Sequence, residues 1–337
     1  ANLMGRAIVA VLLGLALLAP VQAQVLIDLA GREVQVPERV ERIVLGEGRL
    51  LPVLAILEGE QLLERLVGMP ADLALVDFLG PEVCRYIDLF MKQGGGFPVK
   101  VLGEHQFSVP MNWKVQLENT TDAYHFPVVH KSFMQSLDGE TEEIFRFLET
   151  GKGFVEDLGN GHSVMAMIPE LIDLDENLDA PIPERFTDLA QELRDEGYPE
   201  DQVKKIVRAV GGAGFNLNLF PNVSFSLAFF RVLTPVSVEK TDIRHIAIGM
   251  DGGPAAANQM RLRLHEHFQG PMGFGSPDDA EVWERVQRGT KGGETLPILV
   301  NRGIVDEVPG ALGPRGHVSA ETGMRAAYKM WKRMMSQ

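Results

Sequence analysis

The 337-residue sequence contains a single cysteine, Cys84. One thiol excludes a disulfide within the chain, and it excludes any zinc or iron–sulfur site that takes two or more thiolates from these residues. Basic residues are also few, with 32 Lys and Arg against 46 Asp and Glu and a net charge of −14. Because a nucleic-acid face needs clustered Lys and Arg, this balance argues against a nucleic-acid partner. The 45% apolar composition is sufficient for a sizeable core, so we expect a globular protein.

The apolar run nearest the N-terminus is too short for a stable transmembrane helix, which needs roughly 20 residues. This run, residues 7–18, follows Arg6 and precedes Pro20 and a small-residue site that ends at Ala23. That order of segments is typical of a secretory signal peptide. We therefore interpret residues 1–23 as a signal-peptide-like segment, which would direct export to the periplasm, and we expect no membrane anchor.

Residues 24–77 begin with a pattern typical of a β-hairpin, in which Gly31 and Arg32 separate alternating apolar residues. A strand and a helix are predicted to follow. The stretch "DLAGREVQVPERVERIV" resembles the start of periplasmic iron-chelate substrate-binding proteins. Nothing downstream supplies the second lobe of such a protein. We therefore predict a binding-protein-like fragment here, unrelated to the rest of the chain.

From Phe78 to residue 337 the pattern is that of an α+β domain. Proline near the start and glycine at the end of a segment predict helices in 81–93, 183–197 and 199–210. Alternating apolar residues predict strands in 98–109, 222–238, 244–250 and 260–268. Strands that follow one another without intervening helices indicate an antiparallel sheet, with helices gathered on one side of it.

Two histidines of the last predicted strand, His265 and His267, alternate and could face one side together as metal ligands. No further ligand spacing supports a second metal site, so a hydrogen-bonded or solvated pair is the favoured interpretation. Four other histidines stand alone in the sequence and receive no assignment: His105, His162, His245 and His317.

The stretch "NWKVQLENTTDAYHFPVVH", residues 112–130, predicts an amphipathic helix in which Asp122 and His125 share a face because they are three positions apart. On a regular helix, His125 and His130 would point about 140° apart. Pro127 removes an amide donor, so we predict that the helix ends or kinks just after His125 and that His130 swings back toward it. Two converging neutral imidazoles are good ligands for a divalent transition metal, and one carboxylate would complete the set of ligands.

The carboxylate is expected in "GPMGFGSPDDAEVWERVQRG", residues 270–289. There Ser276 is a predicted helix cap, Pro277 takes the first helical position, and Asp278 and Asp279 fall in the first turn. Acids in a first turn also complement the helix dipole. On this stretch alone, the dipole interpretation is the favoured one.

Together the two stretches resemble the signature motifs of the large subunits of Rieske-type aromatic ring-hydroxylating oxygenases. The matching residues of the first motif are Asn112, Trp113, Lys114, Glu118, Asn119, Asp122, Tyr124, His125 and His130. The resemblance implies that His125, His130 and Asp279 bind a mononuclear non-haem Fe(II). It implies that Asp122 orients a ligand histidine and bridges toward the electron-donating cluster of a neighbouring subunit. The fold implied is a helix-grip (START-like) arrangement, an antiparallel sheet wrapped around a long helix.

The activity implied is that of an aromatic ring-hydroxylating dioxygenase, which uses O₂ and takes electrons from NAD(P)H through a reductase and in some cases a ferredoxin. The resemblance also implies a cytoplasmic homo-oligomer, expected to be a trimer, with or without a small β subunit. The family holds a [2Fe–2S] cluster through two Cys and two His, whereas this chain has one Cys. We therefore expect iron binding with little or no self-sufficient turnover, unless another subunit supplies the cluster.

An apolar pocket for the aromatic ring is expected beside the motifs. Its candidate lining residues are Asn119, Met165, Phe220, Phe225 and Phe274, although ordinary core packing is the more common role of the apolar ones.

Two other functions remain open at this stage. The domain could be a non-catalytic module of the same shape for hydrophobic ligands, or the chain could be a fragment of an exported metal-chelate binding protein. A plain binding module gives no reason for Asp122, His125, His130 and Asp279 to occur together.

Overall fold

A computed structural model of the chain describes residues 24–27, 33–36, 43–44, 66–68, 75–137, 146, 148, 151–169, 172, 179–292 and 298–336. The chain divides into two units, Ala1–Leu75 and Val76–Gln337. The predicted signal-peptide-like segment, 1–23, lies outside the described residues.

Among its described residues, the first unit contains two short strand pairs. Strands β1 (Gln24–Ile27) and β2 (Glu33–Val36) pair antiparallel. Their antiparallel pairing agrees with the predicted hairpin, whose central residues Gly31 and Arg32 lie outside the described residues. Strands β3 (Ile43–Val44) and β4 (Leu66–Gly68) pair in parallel. The assignment of residues 24–77 to a binding-protein-like fragment stays a prediction.

Within the described residues of the second unit, nine strands form one antiparallel sheet in the order β12-β13-β6-β7-β8-β9-β10-β11-β5. Their bounds are β5 Val99–Val109, β6 Phe154–Asp157, β7 Ser163–Ala166, β8 Phe215–Leu219, β9 Val223–Ser226, β10 Phe229–Ser237, β11 Lys240–Met250, β12 Val308–Pro309 and β13 Pro314–His317. The longest pairing joins β11 to β5 at one end of the sheet. The predicted α+β class and antiparallel sheet are confirmed.

The helices are α1 Leu75–Met91, α2 Trp113–Thr121, α3 Phe126–Val129, α4 Lys131–Ser136, α5 Thr187–Asp195, α6 Glu200–Gly211, α7 Ala255–Gln269, α8 Ser276–Gly292 and α9 Thr322–Met335. Helix α9 packs on β6, β7 and β13 and against α2, which gives the helix-grip arrangement. In α1, Gly80 has φ +76° and interrupts the helix, which resumes at Pro81. The helices predicted in 81–93, 183–197 and 199–210 are confirmed. No helix among the described residues has both the length and the apolar content needed to cross a bilayer.

The strand predicted in 260–268 is wrong, because these residues belong to helix α7. Its buried face consists of Ala257, Arg261, His265 and Gln269, which recur every fourth residue. Since three of these four side chains are polar, the helical period does not show as an apolar period. Arg261 is stabilised there by donating from Nη1 to the carbonyls of Gln93 (2.9 Å) and Ala209 (2.6 Å).

Candidate metal centre

The segment that carries the two motif histidines breaks into three short helices. Helix α2 ends at Thr121, and Asp122 is extended, with φ −108° and ψ 105°. The predicted shared helical face of Asp122 and His125 is therefore wrong. The Asp122 carboxylate accepts a hydrogen bond from the Tyr124 amide (2.7 Å), a local turn that competes with helix. Pro127 lies in the first turn of α3, where a missing amide donor has no cost, so it starts a helix instead of ending one.

The change in local structure still brings the histidines together. His125 directly precedes α3, and His130 lies between α3 and α4. Their ring centroids are 5.3 Å apart, and the ring planes are inclined at 73°. The single turn of helix α3 therefore brings His125 and His130 together, which is the effect that was expected of the predicted kink.

The predicted carboxylate comes from the start of α8. Helix α8 begins at Ser276, so this residue is the first of the helix and not its predicted cap. Asp278 and Asp279 lie in the first turn, as predicted. The Ser276 hydroxyl donates to Gln269 Oε1 (2.7 Å). The Asp279 side chain is buried and approaches both histidines, whereas Asp278 approaches the hydroxyl of Ser132 on α4.

The distances between His125, His130 and Asp279 suit a common metal ion. Asp279 Oδ1 lies 3.2 Å from His130 Nε2 and 3.6 Å from His125 Nε2. All three candidate ligand atoms lie within 4.8 Å of one another. Ligands about 2.1 Å from one metal and about 90–110° apart would be roughly 3.0–3.4 Å from each other. The donor set of two imidazoles and one carboxylate therefore fits a facial metal site with open positions.

The surroundings of the three residues are largely apolar. His130 is 1% exposed and Asp279 is 4% exposed. The ring of Phe268 lies 5.0 Å from that of His130, and Phe126 and Phe133 pack against Phe268. A buried, apolar setting strengthens the attraction between the carboxylate and any cation bound beside it.

Two further polar side chains contact two of the three candidate ligands, His125 and Asp279. Asn119 Nδ2 donates to Asp279 Oδ1 (3.1 Å) and lies 3.1 Å from His125 Nε2. Asp122 Oδ2 lies 3.6 Å from His125 Nδ1. Burial lowers the pKa of His125, but Asp122 and Asp279 outweigh it, so the net pKa is raised. Burial likewise raises the pKa of Asp122, and His125 reverses this to a net lowering.

A cavity of about 350 Å³ opens onto these residues. Of the predicted pocket residues, Asn119 and Met165 line it, and Phe220, Phe225 and Phe274 do not. Phe225 lies next to Ser226, which lines the cavity, and neighbouring residues of a strand point to opposite faces. Phe220 packs with Leu117 and Ala327, and the Phe274 side chain is exposed beside His267.

Sequence reasoning missed Arg231, a cavity-lining residue on β10 that is 3% exposed. Its guanidinium donates to His245 Nε2 (2.7 Å), Thr120 Oγ1 (3.2 Å) and Gln269 Oε1 (3.3 Å). Burial lowers its pKa to about 10, and the charge of Asp279 opposes that shift. In the part of the chain that the structure describes, no carboxylate forms an ion pair with it. The available signal was a lone charge inside the apolar strand sequence "FFRVL".

Comparison with known proteins adds a second kind of observation. Residues 98–337 match the family described as ring hydroxylating alpha subunit, catalytic domain. A terephthalate 1,2-dioxygenase terminal oxygenase component, subunit alpha 2, from Comamonas sp. is 29% identical over 270 residues, covering 78% of this chain and 60% of that protein. The anthranilate 1,2-dioxygenase large subunit of Acinetobacter baylyi is 26% identical over 238 residues, covering 65% and 48%.

A solved structure of naphthalene 1,2-dioxygenase with indole bound in the active site has the same fold, with a TM-score of 0.58 at 23% identity. The match covers 78% of this chain and 60% of that one. The chain thus spans 60% or less of the length of the relatives named here.

Proposed function

Because this chain belongs to the family of ring-hydroxylating alpha subunits through its catalytic domain, we propose that it hydroxylates an aromatic ring with O₂ at a mononuclear non-haem Fe(II) centre. His125, His130 and Asp279 would hold the ion. The observation that carries the proposal is the approach of these three side chains to one another within 4.8 Å. When bound, Fe(II) would supply the open coordination positions that O₂ activation needs.

The remaining residues of the site position these ligands and keep water out. Asp122 restrains the ring of His125 from its Nδ1 side, and Asn119 restrains both His125 and Asp279. Phe126, Phe133 and Phe268 close the apolar side of the cavity beside His130. A plain binding module for hydrophobic ligands would have no use for this set of polar contacts.

The substrate we propose is an aromatic carboxylate. Arg231 uses three of its five N–H groups in hydrogen bonds, so two remain for a ligand in the cavity. A buried guanidinium without a carboxylate partner is unfavourable, and a bidentate substrate carboxylate would correct this. The two curated relatives described above are named for terephthalate and anthranilate, both aromatic carboxylates.

The electrons are proposed to come from NAD(P)H, through a reductase and in some cases also a ferredoxin, to a [2Fe–2S] cluster and then to the iron. Neither group of possible metal ligands in the described residues includes Cys84, so the cluster would be held elsewhere. Asp122 is 27% exposed and adjoins the exposed Tyr124, so its carboxylate is open to a neighbouring subunit. We propose that copies of this chain assemble in the cytoplasm, where NAD(P)H is available, and that a different subunit with its own cysteine ligands supplies the cluster.

Hydrogen peroxide offers a test that does not depend on the electron donors. Peroxide carries both oxygen atoms of a cis-dihydrodiol and needs no outside electrons, so the Fe(II)-loaded chain can be mixed with terephthalate and peroxide directly. We expect dihydroxylated product from the wild type and from the control His317→Ala, whose histidine is exposed on β13. We expect none from His130→Ala. Equal product from His130→Ala and the wild type would show that the chemistry occurs outside this site.

A further inference from the structure

A second group of possible metal ligands lies between strand β5 and helix α7. His105 on β5 and the adjacent α7 residues His265 and Glu266 place one ligand atom each within 4.8 Å of one another. The group shares no residue with the site of His125, His130 and Asp279. The prediction that His265 and His267 would face one side of a strand is wrong, since helix α7 buries His265 and leaves His267 exposed.

His265 is the buried member of the group. It is 6% exposed, and neither of its ring nitrogens has a hydrogen-bond partner in the part of the chain that the structure describes. A buried polar group left without a partner is destabilising, so this ring would gain from a ligand. A neutral imidazole keeps one nitrogen lone pair, which a metal ion could take as a ligand.

His105 and Glu266 are the members that reach solvent. His105 Nε2 lies 2.6 Å from Glu266 Oε1, and their side chains are 26% and 44% exposed. The rings of His105 and His265 lie 5.8 Å apart at an angle of 24°. An ion could therefore enter past Glu266 and meet the buried imidazole behind it.

We propose that His105, His265 and Glu266 form a second site for a divalent transition metal of the Zn(II) type. Two imidazoles and one carboxylate, with water in the remaining position, are a donor set that Zn(II) accepts. The negative charge of Glu266 favours a cation at His265, whereas the positive charge of Arg231 disfavours one. Glu266 therefore offsets Arg231. The competing occupant is a water molecule in the cavity of about 50 Å³ that borders His265.

The consequence of metal binding here would be structural. Strand β5 is the last strand of the sheet, and α7 packs on its neighbour β11. A metal held by residues of both β5 and α7 would fix α7 to the edge of the sheet. Phe268 and Gln269 of α7 line the large cavity, so the wall of the cavity would become more rigid.

Zinc stoichiometry in the full chain tests the proposal, with native mass spectrometry and calorimetric titration as readouts. We expect two equivalents in the wild type, one in His130→Ala, one in His105→Ala and none in the double variant. Glu104→Gln is the matched control, because Glu104 is the exposed neighbour of His105 and pairs with Arg244. This variant should still bind two equivalents of zinc. Zinc should also raise the Tm of His130→Ala and leave that of the double variant unchanged.

Two outcomes would overturn the second site. One is that His130→Ala binds no zinc at all. The other is that the double variant, with both His130→Ala and His105→Ala, still binds one zinc. Unchanged Tm values of the metal-free variants would show that each is folded. If the wild type bound one zinc that only His105→Ala removed, the second site would stand and the proposed iron site would fail.

Discussion

His130 Nε2 and Asp279 Oδ1 lie 3.2 Å apart, in side chains that are both almost completely buried. One residue comes from the junction of α3 and α4, and the other from the first turn of α8. The buried carboxylate has Asn119 as a hydrogen-bond donor and the two imidazoles as neighbours. Such a carboxylate strongly attracts a cation.

Replacement of Asp279 by Asn should abolish tight Fe(II) binding, because it removes the negative ligand and keeps the side-chain volume. We expect the Fe(II) affinity to fall by more than about 100-fold. That is the upper end of the loss caused by removing a residue that contacts a metal ligand, and Asp279 would be a ligand itself. Asp278→Asn is the matched control, since this acid is in the same turn and faces Ser132. Anaerobic Fe(II) titration measures both, and equal losses in the two variants would contradict the assignment of Asp279.

Asp122→Asn should weaken Fe(II) binding by about 10–100-fold, because the carboxylate that restrains His125 from its Nδ1 side loses its charge. The amide keeps an oxygen that accepts from Tyr124, so the local turn persists. Asp251→Asn, at an exposed turn, is the control. An unchanged affinity in Asp122→Asn would leave the acid with no positioning role.

Arg231→Gln should reduce the affinity for benzoate and leave that for benzamide unchanged. A charge-assisted hydrogen bond is worth about 1.5–3 kcal/mol, so a loss of roughly 10–100-fold is expected for the anion. Arg244→Gln removes an exposed arginine on the neighbouring strand and serves as the control. Calorimetry with both ligands gives the comparison, and an equal loss for benzamide would indicate a disturbed cavity instead of a lost anion contact.

His162 should make the second unit less stable in acid. Nδ1 accepts from the Phe220 amide (3.0 Å) and Nε2 donates to the Phe78 carbonyl (2.9 Å), an arrangement that only the neutral ring satisfies. Burial lowers its pKa to about 4. In the unfolded chain the pKa of this histidine is near 6.5. As the pH falls from 6.5 to 4, the unfolded chain therefore binds more protons than the folded chain, and the free energy of unfolding falls.

The expected loss from His162 between pH 7 and pH 5 is about 2 kcal/mol. Denaturant unfolding followed by tryptophan fluorescence measures it, because Trp113, Trp283 and Trp331 all lie in the second unit. The difference between the wild type and His162→Gln isolates this histidine from the other buried ones. His317→Gln should keep the wild-type pH dependence, and the same dependence in His162→Gln would refute the prediction.

Gly275→Ala should disturb the cavity from outside it. A Cβ at this position would lie 2.6 Å from the ring of Phe268, which lines the cavity beside His130. The ring must move, and such overpacking typically costs about 1–3 kcal/mol. We expect a lower Tm and weaker benzoate binding, with Gly289→Ala, which meets nothing within 4 Å, as the control. A fully retained benzoate affinity would argue against Phe268 as a wall of the cavity.

The sequence was most informative where one physical signal dominated. Proline and glycine marked the helices of 183–210, and alternating apolar residues marked β5, β10 and β11. The spacing of α7 was misleading because its buried face is made of Arg261, His265 and Gln269. Polar residues that are buried by specific hydrogen bonds leave no apolar period for a sequence to show.

The candidate ligands were found from residue types, whereas their local geometry was not. Asp122 stabilises a turn through the Tyr124 amide, and this side-chain preference ended α2 earlier than Pro127 was expected to end it. Of the five predicted pocket residues, Asn119 and Met165 line the cavity and the three phenylalanines do not. Which face of β9 carries Ser226 and which carries Phe225 depends on strand register, and register depends on residues far away in the chain.

The positions of the three candidate ligands along the chain also fix the order in which they become available during synthesis. His125 and His130 leave the ribosome first, and strands β6 to β11 follow before Asp279 emerges. A nascent chain that stops before α8 would present an imidazole pair without its carboxylate. Stable iron loading would therefore have to await synthesis of α8, after the central strands of the sheet have been made.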